Sequence, residues 1–230
     1  GKEMSSMKKY ELTKETKVIG DKTFFRIRAL RSFGDIKAGD LGGFIENERN
    51  LSHGGNAWVG DNAKVGGNAQ VCGNAQVSGD AWVNGDAWVE DNARVDGYAW
   101  VGCHARVGGD AQVGDNAWVG DNAKVGGYAW VVGNAQVCGD AWVNGDAWVN
   151  GDGLINSNND YLCEKGLGSH NRSASFFKCK DGHIHVLCGC FNGNLDEFEN
   201  KVKEEHGNSK YAKEYLGFIE VVKTHFEVRQ

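Results

Sequence analysis

Between residues 57 and 149 the apolar positions recur every six residues without an insertion. Ala occupies every sixth place from Ala57 to Ala147, and Val follows two residues later each time, from Val59 to Val149, giving sixteen hexads. Residues two apart in an extended segment point to the same side, and the residue between them points away. The unit Ala-x-Val-x-Gly/Asp-Asn/Asp, as in Ala117-Trp118-Val119-Gly120-Asp121-Asn122, therefore predicts a very short strand followed by a tight turn. Small and β-branched side chains fill a narrow interior, and the Gly, Asp and Asn residues adopt turn conformations that others resist. So strict a period predicts a solenoid, in which each unit buries its apolar side only by stacking on its neighbours.

The flanks read differently. Residues 1–50 are predicted to cap the open first coil. Phe24-Phe25-Arg26-Ile27-Arg28-Ala29-Leu30 alternates as a strand, and Gly34-Asp35 and Gly39-Asp40 mark turns. The solenoid spans residues 51–155, with Gly153 and Ile155 in the Ala and Val places of a degraded last unit. Residues 156–230 form a small α+β module. Two strands flank the turn signal Asp181-Gly182, one helix begins at Leu195 and runs to His206-Gly207, and a second starts near Ser209. The fold class is thus mainly β.

The position between Ala and Val points outward, and it holds all eight tryptophans of the chain: Trp58, Trp82, Trp88, Trp100, Trp118, Trp130, Trp142 and Trp148. Its other occupants are Lys64, Gln70, Gln76, Arg94, Arg106, Gln112, Lys124 and Gln136. Indoles standing on the outside of a solenoid predict a partner that covers them.

The Ala-x-Val-Gly-Asp-Asn hexads resemble those of the hexapeptide-repeat, left-handed parallel β-helix family. That resemblance covers about residues 51–155. It implies a triangular coil of three hexads, about five coils here, and a homotrimer. The lead-in Leu41-Gly42-Gly43-Phe44-Ile45-Glu46, with the tail segments Cys188-Gly189-Cys190-Phe191 and Leu195-Asp196-Glu197-Phe198, is also similar to β-helix proteins met in phages and prophages. With three hexads per coil, an 18-residue spacing stacks Lys64, Trp82, Trp100, Trp118 and Gln136 on one face. A second face carries Trp58, Gln76, Arg94, Gln112, Trp130 and Trp148, and a third carries Gln70, Trp88, Arg106, Lys124 and Trp142. Trp82, Trp100 and Trp118 form the most continuous aromatic wall and are the expected trimer interface.

Charge narrows the partners. The chain carries 25 Lys and Arg against 31 Asp and Glu, a net charge of −6, yet residues 1–40 are basic and the solenoid is acidic. An acidic solenoid disfavours a nucleic-acid polymer, while a small anionic ligand held by a few placed arginines fits it. No apolar run is long enough to span a membrane, the polar, lysine-rich start lacks a signal-peptide pattern, and the seven cysteines are scattered, Cys72 and Cys138 as surface thiols. These features point to the cytosol, the host's cytosol for a phage-encoded chain.

Candidate chemistry is sparse. The hexapeptide acyltransferases that the resemblance brings in need a catalytic His, whereas the solenoid has only His53 at its mouth and His104 in a turn. In the tail, Cys179, His183, His185, Cys188 and Cys190 crowd twelve residues, but strand alternation divides Ile184, Val186 and Cys188 from His183, His185 and Leu187. Free thiols are expected there, with no metal and no cofactor. The reading is a non-enzymatic trimeric binder, a sponge for a nucleotide-derived signal such as a cyclic oligonucleotide or an ADP-ribose derivative. A structural trimeric spike or assembly module is the alternative, and an acyltransferase the third. The expected anion contacts are Arg94, Arg106 and Arg172, with Ser169 and Asn171 from the tail loop beside them. Trp88 and Trp148 are the expected stacking partners.

Overall fold

Each hexad folds as a two-residue strand and a corner, and three hexads close one coil. The computed structural model describes residues 8–228. Parallel pairing at a spacing of 18 residues recurs throughout, Trp82 opposite Trp100 opposite Trp118 being one run. The rungs make three parallel sheets. Two have six and five strands, and the third extends beyond the solenoid to nine. Every inward Ala and Val of the hexads is at most 1% exposed.

Each corner contains one residue in the left-handed region, with φ between 51° and 65° along residues 61–151. Most are glycines. Where Asp replaces Gly, its carboxylate caps the next coil: Asp61, Asp91, Asp115 and Asp121 accept from the N–H of Gly79, Gly109, Gly133 and Gly139 at 2.9–3.0 Å. That bond offsets the cost of a Cβ at positive φ.

About six coils stack rather than five, because the N-terminal segment joins the solenoid. The strands β1 (Tyr10–Ile19), β2 (Lys22–Ala29) and β3 (Leu41–Ile45) form an antiparallel meander. β3 then lies parallel on the rung Lys64–Val65, with Phe44 opposite Lys64 and Ile45 opposite Val65. The offset there is 20 residues, two more than a coil, so the hexad pattern does not reveal it. Cap and solenoid share one continuous sheet.

The chemistry of the two ends follows from the direction of the hydrogen bonds. The N–H of each rung donates to a carbonyl of the next coil, as Trp100 does to Ala117 at 2.9 Å. The first coil is therefore left with open carbonyls and the last with open N–H groups, and each needs a partner. At the N-terminal end the partners are donors. Lys9 Nζ donates to the carbonyl of Ala57 at 2.6 Å, and Asn50 Nδ2 to that of Ala69 at 2.8 Å. At the C-terminal end they are acceptors. Asn158 Oδ1 accepts from the N–H of Trp142 at 2.7 Å, and Ser175 Oγ from that of Trp148 at 2.8 Å. Lys9 is fully buried, with its ammonium over the ring of Phe33.

The tail is a four-stranded antiparallel sheet of Tyr161–Leu167, Arg172–Lys178, Ile184–Cys188 and Phe191–Asn194, followed by α1 (Leu195–His206) and α2 (Lys210–His225). One face closes the end of the solenoid with Phe177, Cys179 and Leu187, which are continuous with its core. The other packs Phe176, Ile184, Val186 and Cys188 against Phe198, Tyr215 and Ile219 of the helices. Among the described residues no helix is long and apolar enough to cross a membrane.

Candidate functional site

The third face of the solenoid brings unlike side chains into a ladder. Gln70, Trp88, Arg106, Lys124 and Trp142 occupy successive rungs in register. Rungs lie about 4.8 Å apart, so side chains on adjacent rungs come within contact of one another. The Arg106 guanidinium stands 5.0 Å from the centroid of the Trp88 ring, and Lys124 Nζ 5.8 Å from that of Trp142. Glu90 lies 4.0 Å from Arg106 Nε, a loose contact that leaves the other guanidinium N–H groups free to bind. A shallow groove of about 360 Å³ runs along Arg106, Lys124 and Trp142, and Gly108, Gly109, Gly126 and Gly127 keep its floor to bare backbone. Cations alternating with indoles over a backbone floor can stack a planar ring and pair with an anion at once.

The first face is less open than its composition predicts, and the expectation that all eight indoles stand uncovered needs correcting. Trp58 is 6% exposed, held under the cap by Phe33 at 5.4 Å, and Trp82, Trp88, Trp100 and Trp118 are half-buried. For two of them the cause is local. The residue after the inward Val is glycine on these rungs, and an added Cβ would overlap the Trp100 ring at Gly102 and stand 3.3 Å from the Trp118 ring at Gly120. With glycine there, the ring lies down on the backbone. Trp100 also meets Trp118 at 5.2 Å. The indoles that remain exposed are Trp130, Trp142 and Trp148, at 41%, 50% and 41%, all on the last coils.

On the second face Trp130 and Trp148 meet edge to face at 5.5 Å and, with Tyr128, line a hollow of about 210 Å³. Arg94 lies between Gln76 and Gln112 on this face, with no indole beside it. Its electrostatic neighbour is Asp96, whose carboxyl is pushed up by burial and by Asp115 and drawn back by Arg94.

Arg172 belongs to the tail. It lines a cavity of about 400 Å³ with Cys188, Cys190, Phe191, Lys201, His206 and Tyr215, and it packs across Gly189. Ser169 and Asn171 are exposed in the turn before it. That turn faces α2, where Gly168 N–H donates to Glu214 at 2.6 Å, so a carboxylate occupies the place expected for an anion. Of Arg94, Arg106, Arg172, Trp88, Trp148, Ser169 and Asn171, the fold brings only Arg106 and Trp88 into contact. The others are parted because Arg94 and Arg106 face different sheets, while the tail strand directs Ser175, not the loop, toward Trp148. Lys124 and Trp142 complete the ladder and were legible from the 18-residue spacing.

The histidines of the solenoid are engaged in the framework. His53 stacks on Tyr10 at 4.1 Å and accepts from the Lys9 N–H, and His104 pairs with Asp86 at 3.4 Å. In the tail, Ile184, Val186 and Cys188 do share a face opposite His185 and Leu187. The separation of the cysteines from the histidines is nevertheless incomplete. The turn Cys179–Gly182, with φ of 89° at Gly182, sets Cys179 opposite His183, so Cys179, His183 and His185 converge with their ligand atoms all within 4.8 Å. Alternation along one strand missed this because Cys179 comes from the other strand. Burial, then the nearby carboxylates of Asp181 and Asp152, push the Cys179 thiol up to about 12.

Comparison with known proteins agrees with the architecture. The family model described as the YdcK beta solenoid repeat matches residues 69–85, 75–90 and 135–151, all within the hexads. A search of curated proteins found no match to this chain.

Proposed function

Taking the chain as a β-solenoid repeat protein, we propose that it is a non-enzymatic binding scaffold whose cationic–aromatic face holds a small anionic ligand bearing a planar ring. The ladder Trp88–Arg106–Lys124–Trp142 carries the reading. A phosphate pairs with Arg106 and Lys124, and a base stacks on the exposed Trp142 indole. Nucleotide-derived signals, cyclic oligonucleotides and ADP-ribose derivatives among them, have this chemistry. In its finest form the scaffold is a sponge of phage type that removes such a signal from a host's immune response. Sequestration calls for tight binding without turnover, and a rigid solenoid loses little entropy on binding. The free state of all seven cysteines suits a reducing cytosol.

The reading includes assembly of three copies. Support comes from the exposed Trp130 and Trp148, adjacent indoles on one face of the last coils. The competing reading, a structural assembly module, draws on the hollow between Trp130 and Trp148, which offers indoles without a cation. Sedimentation at micromolar concentration is expected to give a trimer, and a stable monomer would contradict the assembly. Small molecules released by heat from the purified protein and identified by mass spectrometry are expected to include a nucleotide-class compound. If the released compounds contain none and the trimer persists, the assembly reading replaces the binding one.

A further inference from the structure

We infer that Cys179, His183 and His185 bind a divalent metal ion, zinc by the chemistry of the ligands, in the hairpin turn of the tail module that rests on the last rung of the solenoid. The outer nitrogens of the two rings fix their tautomers. His183 Nδ1 lies 2.5 Å from a carboxylate oxygen of Asp181, which only accepts, so this nitrogen carries the proton. His185 Nε2 faces Asn192 Oδ1, also an acceptor, and carries a proton as well. The inner nitrogens, His183 Nε2 and His185 Nδ1, are then two lone pairs aimed at each other 3.1 Å apart. Such a pair calls for a cation, either a metal or one extra proton.

Three further observations favour the metal. Two nitrogens bound at the usual 2.0–2.1 Å to a tetrahedral zinc are about 3.3 Å apart, close to the separation here. A third ligand of the right kind, the sulfur of Cys179, lies within 4.8 Å of both. The bonds to Asp181 and Asn192 are the outer-sphere contacts that orient histidine ligands and fix their tautomer. Mixed thiolate and imidazole donors suit zinc better than magnesium or calcium. His183 is exposed, which gives the ion a way in. The site also touches the solenoid. Gly153 bridges to Cys179, and Lys180 N–H donates to the carbonyl of Asp152 at 3.0 Å, so an ion held here stiffens the turn that rests on the degraded last hexad.

The test uses the full chain, reduced and stripped of metal, titrated with cobalt(II) and then zinc. One equivalent of cobalt per chain is expected, with tetrahedral ligand-field bands and a thiolate-to-cobalt charge-transfer band, both bleached by zinc. Cys179→Ser is expected to abolish the charge-transfer band. Asp181→Asn, at an exposed position that leaves the fold intact, is expected to weaken zinc binding about 10- to 100-fold in chelator competition. Cobalt binding without thiolate charge transfer would overturn the proposal, leaving a shared proton between the rings. So would a charge-transfer band that survives in Cys179→Ser but is lost in Cys190→Ser, or zinc affinity unchanged in both Asp181→Asn and His183→Gln.

Discussion

Gly85→Ala is expected to destabilise the protein by about 3 kcal/mol, whereas Gly145→Ala costs about 1 kcal/mol. Both glycines hold the left-handed corner, at φ of 63° and 64°, so both variants carry the same backbone strain. They differ in what lies above. A Cβ on Gly85 would stand 2.8 Å from the backbone nitrogen and 2.9 Å from the backbone oxygen of Cys103 in the next coil, while one on Gly145 meets nothing within 4 Å. Backbone cannot turn aside as a side chain can, so the rungs at Gly85 must part. In a solenoid each coil is held by its two neighbours, and a parted interface weakens the array on both sides. Urea denaturation followed by tryptophan fluorescence measures both costs. Equal losses would mean that coil stacking does not constrain the corners.

Lys9 sets a pH dependence of comparable size. Burial first, and the Arg31 charge second, lower its ammonium from 10.5 to about 8. Between these values the unfolded chain holds a proton that the native state has lost, so raising the pH favours the native state. The stability of the wild type relative to Lys9→Met is expected to climb by about 3 kcal/mol from pH 8 to pH 10.5. Tyr10 and Cys179 pull the other way at alkaline pH, since burial raises both groups and their stabilisation is lost as the pH rises. They act alike in both proteins and drop out of the difference. A flat difference across this window would show that the ammonium is not confined at the mouth of the solenoid.

The solenoid was legible because its interior tolerates so little. Ala and Val alternate with an outward residue in every hexad, and a turn pair follows each strand, a strict short period that marks a solenoid. The closing rungs were half legible. Gly153 and Ile155 keep the hexad pattern, but β3 enters the stack at a 20-residue offset that no repeat announces. The basic start of the chain was visible as charge. Its meaning lies in the direction of the rung hydrogen bonds, which demands donors such as Lys9 at one end and acceptors such as Asn158 at the other.

The candidate site divides in the same way. The register of Arg106 on Trp88 follows from the 18-residue period, as does that of Lys124 on Trp142. The placement of Arg172 depends on how the tail sheet docks, which no local pattern encodes. The half-burial of Trp100 and Trp118 owes something to the glycines beside their rings, Gly102 and Gly120, which the hexad period alone does not single out. The convergence of Cys179 on His183 and His185 depends on pairing across a hairpin turn, which alternation within one strand does not express.

The binding face is tested most directly by calorimetric titration of the protein with cyclic dinucleotides and ADP-ribose derivatives, in the wild type and in Arg106→Ala, Arg94→Ala and Arg172→Ala. Removing the Arg106 charge from a stacked, phosphate-paired site is expected to cost about 1.5–3 kcal/mol, roughly ten- to a hundredfold in affinity. Arg94→Ala and Arg172→Ala, which lie off the ladder, are expected to bind as the wild type does. A wild type that binds while Arg106→Ala binds equally well would contradict the assignment of the ligand to the Trp88–Arg106–Lys124–Trp142 face.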